Sequence, residues 1–260
     1  MKKTLYLISC VVASSLMAQG ATLVSEWDGF TADGAATTGN LTFNFGASSV
    51  SDGVLNVKAD GSLANRPTVD LSSAGLNLSA GLTISLEVKG GASRNGVNDN
   101  LIGLASADNQ YLFAAGTNGS GNGSFLFNGS INNAGNTGNN TPLNVVSTES
   151  TAILTITAGL EGSRVVFKMY QDGELVASGS TTNTSMAQQT LTKLTLGGWA
   201  GNSTSNTTDE NVSRLAIYDG AMTADEVQAA YMAWTAPEPA TTTLSLLGLG
   251  SLLLHRRRQH

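Results

Sequence analysis

The amino-acid sequence predicts an all-β protein: a two-sheet antiparallel sandwich with one short helix near the C-terminus. Three observations predict it. Apolar residues recur at every second position in several separate runs, the period of a strand with one buried face. An Asp-Gly pair between two of these runs marks a hairpin turn. A single capped segment of helical period follows the last run. Strands repeated between polar turns, with almost no helix, give a sandwich.

The N-terminus is set apart from that body. Lys2 and Lys3 are a charged start, Leu5 to Met17 is mostly apolar, and Ala18-Gln19-Gly20 offers small residues for cleavage. Residues 1–20 are therefore a secretory signal peptide, cut after Gly20 or after Ala21. Cys10 lies too close to the start to be a lipoprotein cysteine.

The body, 21–235, carries the alternation. Leu82, Ile84, Leu86 and Val88 alternate with Thr83, Ser85 and Glu87. Ala152, Leu154, Ile156 and Ala158 alternate with Thr155 and Thr157, and Val165, Phe167 and Met169 with Val166, Lys168 and Tyr170. Further strands are expected at 23–27, 41–45, 54–59, 101–105, 111–115, 124–128, 191–196 and 212–218. Gln171-Asp172-Gly173-Glu174 is the hairpin turn. The stretch from Gly116 to Asn140 is dominated by Gly and Asn and is expected to be surface loops around one strand. Thr223 with Glu226 is a capping box, and Val227, Ala230, Tyr231 and Trp234 form one apolar stripe. The helix should run from about Ala224 to Trp234 and lay that stripe, Trp234 included, against the sandwich.

The last segment, 236–260, has three parts. Pro237-Glu238-Pro239 stays extended, because proline continues neither a helix nor a sheet ladder. An apolar run follows from Ala240 through Leu244 to Leu254, roughly 22 Å long as a helix at about 1.5 Å per residue. It falls short of the ~20 residues that span a bilayer, so it makes a marginal transmembrane helix. Arg256, Arg257 and Arg258 then act as a cytoplasmic stop. The order describes a sorting signal with transient inner-membrane association.

Composition narrows the chemistry. The only cysteine is Cys10, and the only histidines are His255 and His260 in the tail, so the body has neither residue. It forms no disulfide in spite of its oxidising destination. Five of the 13 Lys and Arg and one of the 19 Asp and Glu lie in the two ends, leaving a net charge of about −10 on the body. Such a surface repels nucleic acid and anionic lipid.

Two family resemblances follow from these residues. The tail resembles the PEP-CTERM sorting signal of Gram-negative bacteria. That resemblance implies processing by signal peptidase and a membrane-embedded exosortase, then residence on the outer surface or in the extracellular matrix. The run from Arg214 to Tyr231 resembles the closing segment of LamG-like, concanavalin A-like domains: a strand ending in Ile-Tyr, a small turn and a capped helix. Phe167–Ser178 looks like the family hairpin, Leu194–Gly198 like its Leu-x-Leu-Gly-Gly strand, and Leu82–Val88 like its early core strand. The implied fold is a jelly-roll sandwich.

Site expectations are read against this background. Without His or Cys there is no Ser-His or Cys-His nucleophile and no ordinary zinc site. Glycoside hydrolysis needs two carboxylates about 5–10 Å apart. The nearest candidate is Glu26-Trp27-Asp28, where alternation puts both carboxylates on one face and the indole on the other. No catalysis is expected. Calcium takes hard oxygen ligands, and Asp209-Glu210 before the final strand is expected to be a loop that offers them. Exposed aromatics beside polar groups are platforms for sugars, which puts forward Trp199, Tyr111 and Trp27. The expected function is carbohydrate or surface-ligand binding by an exported protein, partnered by extracellular polysaccharide or an envelope component. The alternatives are a purely structural matrix component and a cryptic glycoside hydrolase.

Overall fold

The computed structural model describes residues 20–58, 65–94, 99–106, 111–117, 123–127, 151–182, 184–198 and 208–236. Among these the strands are β1 (Thr22–Asp28), β2 (Thr38–Gly39), β3 (Phe43–Asn44), β4 (Ser49–Ser51), β5 (Val54–Val57), β6 (Thr68–Asp70), β7 (Leu82–Arg94) and β8 (Asp99–Ser106). Then come β9 (Tyr111–Thr117), β10 (Gly123–Phe127), β11 (Thr151–Glu161), β12 (Arg164–Gln171), β13 (Glu174–Thr181), β14 (Leu191–Leu196) and β15 (Thr208–Asp219). The helix α1 spans Ala224–Thr235, and a 3-10 helix, Thr184–Gln188, joins β13 to β14.

The strands form the expected two antiparallel sheets. The larger has the order β13-β12-β11-β7-β15-β1-β2, with β5 on β15 and β4 on β5; the smaller runs β10-β9-β8-β14-β6-β3. Alternation fixes which residues enter the space between them. Leu82, Ile84, Leu86 and Val88 of β7 are fully buried in the core with Leu154, Ile156, Phe167 and Met169 from neighbouring strands. β1 pairs with β15, so the first strand of the body lies beside the last.

The Asp-Gly turn closes as expected. Asp172 (φ 53°) and Gly173 (φ 84°) both adopt positive φ, as a two-residue hairpin of this twist requires. Asp172 also accepts the backbone N–H of Ile153 at 2.9 Å, which ties the turn to β11. The Gly- and Asn-rich stretch holds more strand than expected at its start. β9 continues to Thr117 and pairs with β10 as a hairpin, while 118–122 and 128–150 lie outside the described residues. β2, β4, β6 and the 3-10 helix were not expected: the three strands are only two or three residues long, too short to display a period.

α1 begins where the capping box predicts. The Glu226 N–H donates to Thr223 Oγ1 at 3.3 Å, and the Thr223 N–H donates to Glu226 Oε2 at 2.5 Å. The turn before it is pinned to β7: Thr83 Oγ1 accepts the Met222 N–H at 2.9 Å and donates to the Gly220 carbonyl at 2.8 Å. The apolar stripe docks differently from the expectation. Val227 is fully buried with Tyr170 and Met222 in a small cluster separate from the main core. Trp234 is only half-buried. Its ring lies under the Arg214 guanidinium, 4.4 Å from the centroid. The outer face of a sheet is partly polar, so the last turn of the helix meets a charged side chain there.

The signal peptide residues 1–19 and the tail from Pro237 onward, with Glu238, Pro239, Leu244, Leu254, Arg256, Arg257 and Arg258, lie outside the described residues. Among the described residues no helix is long and apolar enough to cross a membrane. Gly20 is exposed, and Ala21 packs partly buried against the cluster under α1.

Candidate functional site

Of the residues singled out, Asp209 and Glu210 fall at one rim of the sandwich, where β14 ends and β15 begins. Two glycines turn the chain there. Gly197 has φ 67°, a conformation open to glycine. Gly198 is fixed by proximity: a Cβ there would stand 2.7 Å from Nη1 of Arg66, whose side chain is buried. The Leu-Thr-Leu-Gly-Gly segment thus ends in glycines for two separate physical reasons.

Glu210 faces this turn from the other sheet. It shares the inward face of β15 with the core residue Val212 and is only 1 % exposed. Its Oε1 accepts the Gly197 N–H at 3.1 Å, so the carboxyl bridges the two sheets. Its Oε2 is buried without a hydrogen-bond partner among the described residues. Burial pushes its pKa well above the ordinary value near 4.5; the Gly197 hydrogen bond pulls down and nearby Asp209 pushes up.

This geometry corrects the calcium expectation. Asp209 and Glu210 lie within β15, not in a loop. Successive strand residues point to opposite faces, and burial alternates accordingly: Asp209 is half-buried and Glu210 buried. The two cannot embrace one ion. Among the described residues no group of three or more His, Cys, Asp and Glu side chains stands ready to hold a metal.

Trp27 is also corrected. It is fully buried, with its Nε1–H donating to the Gly34 carbonyl at 3.0 Å and its ring edge-on to Phe43 at 5.0 Å. The indole is a core residue, because the face opposite Glu26 and Asp28 is the inner one. Trp199 lies outside the described residues. Tyr111 opens β9 in the smaller sheet, away from the turn at Gly197–Gly198 in sequence and separated from β14 by β8.

Glu26 and Asp28 do share the outer face of β1, as alternation requires. Arg214 of β15 occupies both: Nη2 stands 2.6 Å from Glu26 Oε1 and Nε 3.6 Å from Asp28 Oδ1. One guanidinium thus engages both carboxylates of the pair. Arg66 escaped sequence reasoning. It precedes Pro67 with no periodic neighbours, and only the fold brings it under Gly198.

Comparison with known proteins agrees with this architecture. The model of the concanavalin A-like lectin/glucanases superfamily matches residues 60–228, and that of the PEP-CTERM protein-sorting motif matches residues 235–259. No curated protein matches the chain. Among solved structures, Trypanosoma rangeli sialidase is similar with a TM-score of 0.58 at 12% identity, over 88% of this chain and 38% of the sialidase. A complex of that enzyme with difluorosialic acid gives 0.61 at 12% identity, over 82% and 33%. Domain 4 of a GH43 extracellular arabinanase from Geobacillus stearothermophilus, in complex with arabinotriose, gives 0.53 at 17% identity, over 81% of this chain and 98% of the domain. The chain therefore spans about a third of the length of the sialidases it resembles, and likenesses at these identities establish the fold alone.

Proposed function

Since the chain belongs to the concanavalin A-like lectin/glucanases superfamily and ends in a PEP-CTERM sorting motif, we propose that it is an exported, exosortase-processed protein whose sandwich binds carbohydrate outside the cell. The motif implies export and exosortase processing. Release to the outer surface or matrix, and the sugar ligand, belong to the proposal. The observation that carries it is the pairing of a lectin/glucanase sandwich with a secretion address on one chain. A body with a net charge of about −10 also favours a soluble exterior over a nucleic-acid or anionic-lipid partner.

Binding without hydrolysis is the chemistry proposed. Arg214 engages both Glu26 and Asp28, the nearest carboxylate pair. The test is retention of the processed protein on polysaccharide secreted by the producing cells, with reducing ends followed in parallel. Retention without new reducing ends supports the reading. Free passage through the polysaccharide, or steady release of sugar, contradicts it.

A further inference from the structure

The end of the sandwich opposite Glu210 carries a groove. It lies between the tip of the β11–β12 hairpin and the 3-10 helix that carries the chain from one sheet to the other. Its volume is about 510 Å³, within the roughly 300–1,000 Å³ of small-ligand sites. Leu160, Ser163, Thr182, Thr184 and Gln188 line it, with Ser79 closing one side.

Three features of this lining are informative together. First, none of the residues lining the groove is ionisable. Glu161 follows Leu160 directly, but alternation turns it to the other face, where it pairs with Lys168 at 2.8 Å. Second, hydroxyls and one amide surround the opening, donors and acceptors of the kind that match sugar hydroxyls. The Ser79 hydroxyl donates to the Ala187 carbonyl at 3.0 Å, which orients its oxygen as an acceptor. Third, Leu160 is 41% exposed, one of few large apolar side chains so placed among the described residues. It gives the groove an apolar surface for the C–H face of a pyranose or furanose ring. The backing is firm, since Met186 and Ala187 of the 3-10 helix are buried in the main core.

We propose that this groove is a binding site for a neutral glycan, with Leu160 as the apolar platform and Ser163, Thr182, Thr184 and Gln188 as the hydrogen-bonding wall. The assignment rests on the carbohydrate-binding reading given above and adds a place and a charge class. A uronate or sialate would gain no cationic partner from the lining and would meet an acidic body.

The test uses the full-length chain, purified in a detergent without a sugar headgroup, in affinity electrophoresis. Dextran, galactomannan and arabinan are the neutral probes; alginate and polygalacturonate are the charged ones. The expected result is retardation by a neutral polymer and none by the charged pair. Leu160→Asp and Gln188→Ala should each weaken that retardation at least tenfold, and both positions are exposed, so folding is checked readily by circular dichroism. A neutral polymer bound equally by wild type and both folded variants overturns the groove while leaving carbohydrate binding intact. So does a loss confined to Trp199→Ala, or binding to charged polymers alone. No binding to any polymer overturns both readings.

Discussion

The Arg214 guanidinium lies 4.4 Å over the ring of Trp234, and the same guanidinium binds Glu26 at 2.6 Å. One side chain therefore fastens the closing helix to the first strand of the body, three residues before Pro237. A cation over a half-buried indole contributes about 0.5–2 kcal/mol, less than the roughly 3–5 kcal/mol lost when a buried Trp is truncated. Trp234→Ala should therefore cost about 1–2 kcal/mol in urea titration. Arg214→Met should remove most of that cost in a double-mutant cycle. Additive effects would show that the two side chains do not interact.

Val227 carries the apolar part of the docking, being fully buried against Tyr170 and Met222. Val227→Ala should cost about 2 kcal/mol, from two lost methyl-sized groups at about 0.8 kcal/mol each plus a residual cavity. Thr223→Ala should cost about 1 kcal/mol, through loss of one cap. Both changes act on the first turn of the helix, one on its cap and one on its buried face, so the order Val227 above Thr223 is the checkable outcome.

Glu210 makes a pH prediction. Its folded-state pKa is raised above the ordinary value near 4.5, so between those two values the native state binds more protons than the unfolded chain. The stability that the protonated group contributes is full below pH 4.5 and falls as pH rises towards the folded pKa. Glu210→Gln retains an acceptor for the Gly197 N–H and cannot ionise. Urea midpoints of wild type should drop as pH rises above 4.5, and the variant's drop should be smaller. Parallel curves would mean that Glu210 titrates normally and is not buried.

Gly34 tests the assignment of Trp27 to the core. Gly34 has φ 71°, and a Cβ there would stand 2.3 Å from the Phe43 carbonyl oxygen. Gly34→Ala should destabilise the body by at least about 2 kcal/mol, combining strain with a backbone clash. It should also shift Trp27 emission to the red, since the carbonyl that accepts the indole N–H must move. An unchanged spectrum and stability would place Trp27 outside the core.

Much of the fold was legible because burial writes a period into sequence. β7, β11 and β12 each bury one face, and each showed alternate apolar residues. The capping box at Thr223 and the turn at Asp172-Gly173 were legible because few residue types satisfy their geometry. The site was less so. Glu210 was read as a loop acid because charge normally marks solvent, yet here it bridges two sheets to reach Gly197. Trp27 was put forward as an aromatic platform for sugar, yet the alternation that turns Glu26 and Asp28 outward sends it into the core. The groove draws its residues from separate loops, hairpin tips and a 3-10 helix, and no single stretch carries its pattern. Trp234 was assigned to the core from its stripe position; the stripe does not record that a cation waits opposite.

Processing should be separable from export, because the signal lies at one end and the sorting motif at the other. Replacing Pro237-Glu238-Pro239 with alanines should leave signal-peptide removal intact and accumulate a membrane-bound precursor. Normal trimming of the altered chain, seen by mass of the mature C-terminus, would contradict processing through that motif.

The central claim is that this sandwich binds carbohydrate without cleaving it. A polysaccharide array probed with the exported, processed protein, with and without EDTA, tests it most directly. The account predicts retention on at least one neutral polysaccharide, unaffected by EDTA, with no oligosaccharide released. An array blank across all polysaccharides, or soluble sugar appearing where the protein bound, would contradict it.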